Sequence, residues 1–359
     1  MSTEHTIDAE MLSTDFTHNT DLNPPETYLA TVPRVRAALR NPALIGVFRH
    51  YDRIANGKQK LFRVLGIFSL LLAWASLLGI DAELCKTALC PTFHSPRVTA
   101  TFEVCALLSI VIALAALVAG TRSKWLTARY LTESIRQWHF QMFLDGELMT
   151  QAFADPAKFQ AELTIRWARL MNRAATARGE MDSVLSSDAA ELQHPLKPYG
   201  DPQTAEEAMR AYSDLRINKQ LSYFTVSKEK FVAHDDLSET LARWFLVSAL
   251  LLAAAQLALL HYAKTETTAV HAARVILFAC ALACVIFTAV IRVYRSALAV
   301  PQQRERYETK WVRLVALQSA FDTAAFLERK LEIMKEAELT EMEEMREFLR
   351  QMRRASYIL

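Results

Sequence analysis

Cys85 and Cys90, five residues apart, are followed four residues later by His94. Two thiols and an imidazole at this spacing could form a disulfide in an oxidising compartment, remain free thiols, or hold a soft metal. No fourth ligand accompanies them. A second group is acidic. Asp235, Asp236 and Glu239 could bind a cation or form a solvated helical face. Two stronger polar residues lie within or beside apolar stretches. Glu103 could line a pore or sit in water at an interface, and Gln256 could coordinate an ion or hydrogen-bond a neighbouring helix. Ser69, Ser76, Ser109 and Thr288 add milder polarity. His139, beside Trp138, reads as a packing or surface residue.

Other chemistries have little to build on. The 359 residues include only 8 glycines, and neither G-x-x-x-x-G-K-[ST] nor G-x-G-x-x-G occurs, so a phosphate-cradling loop is not expected. H-E-x-x-H, G-x-S-x-G and C-x-x-C are missing too. The chain therefore reads as a non-enzyme without a cofactor. Lys and Arg number 41 against 39 Asp and Glu, so there is no basic excess to point to direct nucleic-acid binding.

The polar candidates are positioned by four uncharged apolar stretches: Val64 to Ile80, Val104 to Gly120, Trp244 to Ala263 and Val275 to Ile291. Runs of about 17–25 residues match the roughly 30 Å hydrocarbon core of a bilayer. The fold expected is an all-α membrane protein with four transmembrane helices in two hairpins and long amphipathic cytoplasmic helices. Arg49, Arg53, Lys58, Lys60 and Arg63 precede the first stretch, and Arg122, Lys124 and Arg129 follow the second. The positive-inside rule then places both termini and the middle region in the cytoplasm and the loop bearing Cys85 and Cys90 outside. Arg243, Arg292 and Arg295 flank the second hairpin compatibly, although Lys264 and Arg274 in its loop weaken the contrast. Cys105, Cys280 and Cys284 lie in apolar stretches and read as small hydrophobes. No secretory signal is visible in the polar first residues, so the first apolar stretch is expected to act as an uncleaved anchor.

Five regions follow: a disordered tail over 1–32, a first hairpin with flanking helices over 33–154, a helical linker over 155–203, a second hairpin with its lead-in helix over 204–300, and a C-terminal cytoplasmic helix over 301–359. Asn41-Pro42 is a helix start, with an N-cap residue before proline. Amphipathic helices are expected over Lys124 to Phe153 and from Ala157 to about Ala175. The tail keeps an apolar side through Trp311, Phe321, Leu331, Met334 and Met342, suited to packing within the chain or to an oligomerising coil. No period-two alternation predicts sheet. Each half has a charged lead-in, a hairpin and a Trp-bearing exit helix, which suggests a duplicated unit.

The lead-in YDRIANGKQKLFR, the apolar hairpin and the exit ARYLTESIRQWHF together resemble the SLATT family, the SMODS and SLOG-associating two-transmembrane effector domains of prokaryotic conflict systems. Tyr51, Asp52 and Ala55 carry the first part of the likeness, and Glu133 and Trp138 the second. In the second half Gln220, Tyr223 and Lys228 match loosely. The resemblance implies a homo-oligomeric effector in the bacterial inner membrane that forms pores or disrupts the bilayer. It also implies activation through a separate nucleotide-signal synthase or sensor. The alternative is a non-conducting anchor whose helices recruit a cytoplasmic partner.

Overall fold

The computed structural model describes residues 21–89, 96–176, 196–262 and 267–354. Two single-turn helices, α1 (Glu26–Leu29) and α2 (Arg36–Leu39), precede α3 (Pro42–Leu89). Asn41 caps α3, its Oδ1 accepting from the Leu44 amide at 3.1 Å, as Asn-Pro predicts. Next come α4 (Pro96–Val118) and α5 (Thr121–Gln141). A 3₁₀ turn (Met142–Leu144) leads to α6 (Gly146–Ala154) and α7 (Pro156–Thr176). Helix α8 (Pro202–Tyr212) passes through a π-helical segment (Ser213–Asn218) into α9 (Lys219–Tyr262). The chain continues with α10 (Thr268–Ala297), α11 (Val300–Thr323) and α12 (Leu327–Arg354). Among the described residues the one bridge outside helices joins Asp145 to Lys197, so the expectation of an all-helical chain holds.

Three boundaries differ from expectation. The helix expected over Lys124 to Phe153 breaks at Met142–Asp145, because Asp145 caps α6 through the Leu148 amide at 3.1 Å. Gly146 fits there because a Cβ would stand 2.5 Å from the Tyr199 backbone nitrogen. The tail is two helices, interrupted at Ala324–Phe326. Residues 21–32 are folded rather than part of a disordered tail: Leu22, Tyr28, Leu29 and Val32 are all buried.

The chain forms two compact units. Of the described residues, the helical body comprises 21–56, 125–176, 196–230 and 305–352. Its core includes Phe48, Ile135, Phe140, Phe143, Phe159, Tyr212, Leu215, Phe321, Leu331 and Met334. The tail helices thus pack within the chain. Helix α5 is polar by composition yet lies at the centre of this body. From Trp125 to Phe140 every residue is buried except Thr127, Arg129 and Arg136, which are half-buried.

The apolar unit comprises, of the described residues, 57–89, 96–124, 231–262, 267–304 and 353–354. Among the described residues three helices are long and apolar enough to cross a membrane: the first ends at Glu83, the second runs over Pro202–Tyr262 and the third over Thr268–Ala297. A shorter apolar helix, Ala100–Ala115, lies within α4. Within the unit Ser69 and Ser109 clamp α3 to α4. Each hydroxyl donates to the other's backbone carbonyl, at 3.1 and 2.9 Å. Gly79 permits close approach, since a Cβ there would lie 2.0 Å from the Phe102 ring. Phe287 of α10 packs on Trp74 of α3 at 4.7 Å and stacks on Phe245 of α9 at 4.8 Å. Both apolar pairs are left through a left-handed residue, Gly120 (φ 57°) before α5 and Ala299 (φ 49°) before α11.

Candidate functional site: a buried ion network

Helix α5 brings Arg129, Glu133 and Arg136 onto neighbouring turns. Arg129 Nη2 lies 2.7 Å from Glu133, and Arg136 Nη1 lies 3.0 and 2.9 Å from its two carboxylate oxygens. Arg136 Nε reaches Asp21 at 2.8 Å, and Arg129 lies 4.0 Å from Asp52 of α3. The π-helical segment supplies a second cluster. A π turn inserts a residue and re-aims those around it, and here Arg216 is directed inward, 3 % exposed, against Glu338, 0 % exposed. The pair is bidentate: Nε to Oε1 at 2.8 Å and Nη2 to Oε2 at 3.0 Å. The Tyr212 hydroxyl donates to Glu338 Oε1 at 2.9 Å. In a third cluster Lys310 Nζ of α11 reaches Glu341 at 2.8 Å and Glu344 at 3.1 Å, with Arg306 3.3 Å from Glu344. Gln220, with its amide turned to suit both neighbours, donates to Glu341 and accepts from Arg216, joining the second cluster to the third.

Electrostatics bind these clusters together. Desolvation works to raise the Glu133 carboxyl, but Arg129, Arg136, Lys310 and Arg216 outweigh it and hold it down at about 2. Desolvation would lower Lys310, yet Glu341 and Glu344 raise it. Burial pushes Glu338 up, and Arg216 opposes that rise. Cationic neighbours thus favour the charged form of Glu133 and carboxylates that of Lys310, while burial works against the charge on Glu338. The network ties α5, the π segment, α11 and α12 into one register, which is the best-attested use of buried ions.

Residues of the lead-in and exit helices lie in or beside this network. Asp52 and Glu133 meet through Arg129. Trp138 packs on Trp167 at 5.5 Å. In the second half Tyr223 pairs with Tyr307 at 3.3 Å, and Lys228 sits 3.7 Å over Trp311.

The polar candidates of the apolar stretches fare differently. Glu103 is exposed and Gln256 half-buried, and among the described residues neither makes a hydrogen bond or ion pair that would join it to a site. Thr288 donates to its own helix at Cys284. The acidic patch is solvated in part: Asp236 is exposed and Glu239 half-buried, but Asp235 is buried. Asp235, 5 % exposed, pairs with Arg295 at 2.6 Å and Arg304 at 3.2 Å, and Asp236 with Arg304 at 2.6 Å. Two arginines thus neutralise Asp235. The Cys85–Cys90 pairing and the alternative metal set with His94 lie outside the described residues. Cys280 is exposed, and Cys105 and Cys284 are half-buried as free thiols.

Arg216, Lys310, Glu338, Glu341 and Glu344 were not singled out from the sequence. A signal was present, because Glu338 and Glu341 fall on the same helical stripe as Met334, Met342 and Met345. Charges inside an apolar stripe demand buried partners. Comparison with protein-family models, curated proteins and solved structures finds no match to this chain.

Proposed function

We propose that the protein is a SLATT-like effector of the bacterial inner membrane, with four spans in two hairpins, which oligomerises and permeabilises the bilayer. The observation that carries this reading is the bareness of the apolar helices. Of the apolar windows in the three long helices, only 17 %, 6 % and 11 % is buried within the chain. Trp244, Leu250, Leu251 and Leu257 of α9 are each more than 60 % exposed. Surface of that kind requires lipid or further copies of the same helices to cover it. The left-handed exits at Gly120 and Ala299 are consistent with a two-span unit used twice. The helical body would face the cytoplasm and receive a signal from a separate nucleotide-signal synthase or sensor.

The test is release of an entrapped dye from liposomes carrying the purified full chain, alongside its mass in mild detergent. Oligomers and leakage are expected, with leakage reduced in Glu103→Leu and Gln256→Leu. A monomer that leaves liposomes sealed under every trigger sinks the reading. One observation favours the anchor alternative. The body carries an open groove of about 510 Å³ floored by Ala205, Met209, Phe321 and Leu327 and edged by Arg210 and Lys330, where a cytoplasmic partner could seat.

A further inference from the structure

His139 of α5 is 0 % exposed, and neither Nδ1 nor Nε2 has a hydrogen-bond partner. A neutral imidazole carries one donor and one acceptor, and a core rarely leaves both unmet. Its ring is set edge-on against Phe140 at 5.1 Å and Phe143 at 6.3 Å, and both phenyl rings pack on Tyr212. Two charged groups face it from other elements, Arg216 of the π segment and Asp21 of the N-terminal stretch. On its own helix Arg136, three residues away, is already held by Glu133 and Asp21. The imidazole thus sits amid the ion network without belonging to it.

We infer that His139 is a proton-operated latch of the helical body: the body stays closed while the imidazole is neutral, and acidification favours an opened state in which the ring takes up a proton. Desolvation, with Arg216 adding repulsion and Asp21 opposing it, pushes the imidazole down to about 4 in the closed body. An exposed histidine titrates near 6.5. The opened state therefore binds the proton more tightly. Stability from this residue is complete above about pH 6.5 and is lost as pH falls toward 4. Between pH 7.5 and 5.5 the opening equilibrium rises about tenfold. Glu133, held at about 2, does not titrate in that window.

The experiment compares amide hydrogen exchange along α5 at pH 7.5 and 5.5, corrected for intrinsic rates, in the full chain in nanodiscs. Wild type should open about tenfold more at the lower pH, and His139→Leu should show almost no change. His139→Asn, which keeps a polar side chain that does not titrate, should be equally flat and serves if the leucine variant misfolds. NMR of labelled histidine should show the His139 ring still neutral at pH 5.5 in the closed protein. The inference is overturned by a native-state titration near 6.5, by a flat wild type, or by variants that keep the wild-type response.

Discussion

Removing the Glu338 carboxylate tests what the buried network does. Arg216 is 3 % exposed and its guanidinium makes two hydrogen bonds to Glu338, so Glu338→Leu strands a cation in the core. The Tyr212 hydroxyl loses its acceptor as well. Breaking one side of such a pair costs about 3–5 kcal/mol. For units of roughly 150–250 residues each kcal/mol moves the melting point by about 2–4 °C, so a drop of about 6–20 °C is expected. Arg216→Leu should be similarly damaging, since it leaves a buried carboxylate. The double variant removes both charges and should cost far less than the sum, because apolar replacement of a whole buried pair is often neutral. Thermal unfolding of the purified chain, followed by tryptophan fluorescence, closes the cycle. Additive losses, or single variants that melt with wild type, would refute the claim that these charges act as one unit.

Two further predictions rest on other contacts. Gly79→Ala should weaken the α3–α4 pair by about 1–3 kcal/mol through collision with Phe102, and Phe102→Leu should restore much of the loss; unfolding in detergent measures both. Glu133, depressed to about 2 in the folded body, contributes stability that is complete above the ordinary carboxylate value near 4.5 and is lost as pH falls toward 2. Glu133→Gln should therefore cost about 3 kcal/mol at pH 7, and its deficit should shrink on acidification below pH 4.5; a deficit independent of pH would remove the ionic explanation.

The apolar helices were legible because the absence of charge over some twenty residues is a one-dimensional signal. The helix start at Asn41-Pro42 was legible for a similar reason, since cap and proline are neighbours in sequence. The break at Met142–Asp145 was not: its cap, Asp145, is local, but the close packing of Gly146 on Tyr199 and the bridge to Lys197 come from more than fifty residues away. Leu22, Tyr28 and Val32 were hidden by the polar, proline-bearing segment around them. The ion network stayed unread for a deeper reason. Charge on an amphipathic helix ordinarily marks the wet side, and only a tertiary partner such as Arg216 turns Glu338 into a buried residue. Asp235 follows the same logic, with Arg295 and Arg304 supplied from later in the chain.

The body is assembled from three stretches of chain separated by the two apolar hairpins. Its cations at Arg129, Arg136 and Arg216 are made early, whereas Glu338, Glu341 and Glu344 come from α12, the last helix synthesised among those described. Until α12 emerges from the ribosome, Arg216 and Lys310 lack the carboxylates that pair with them directly. Maturation is thereby ordered in time: the apolar helices are made first, and the interior of the body closes only after α12 has been translated.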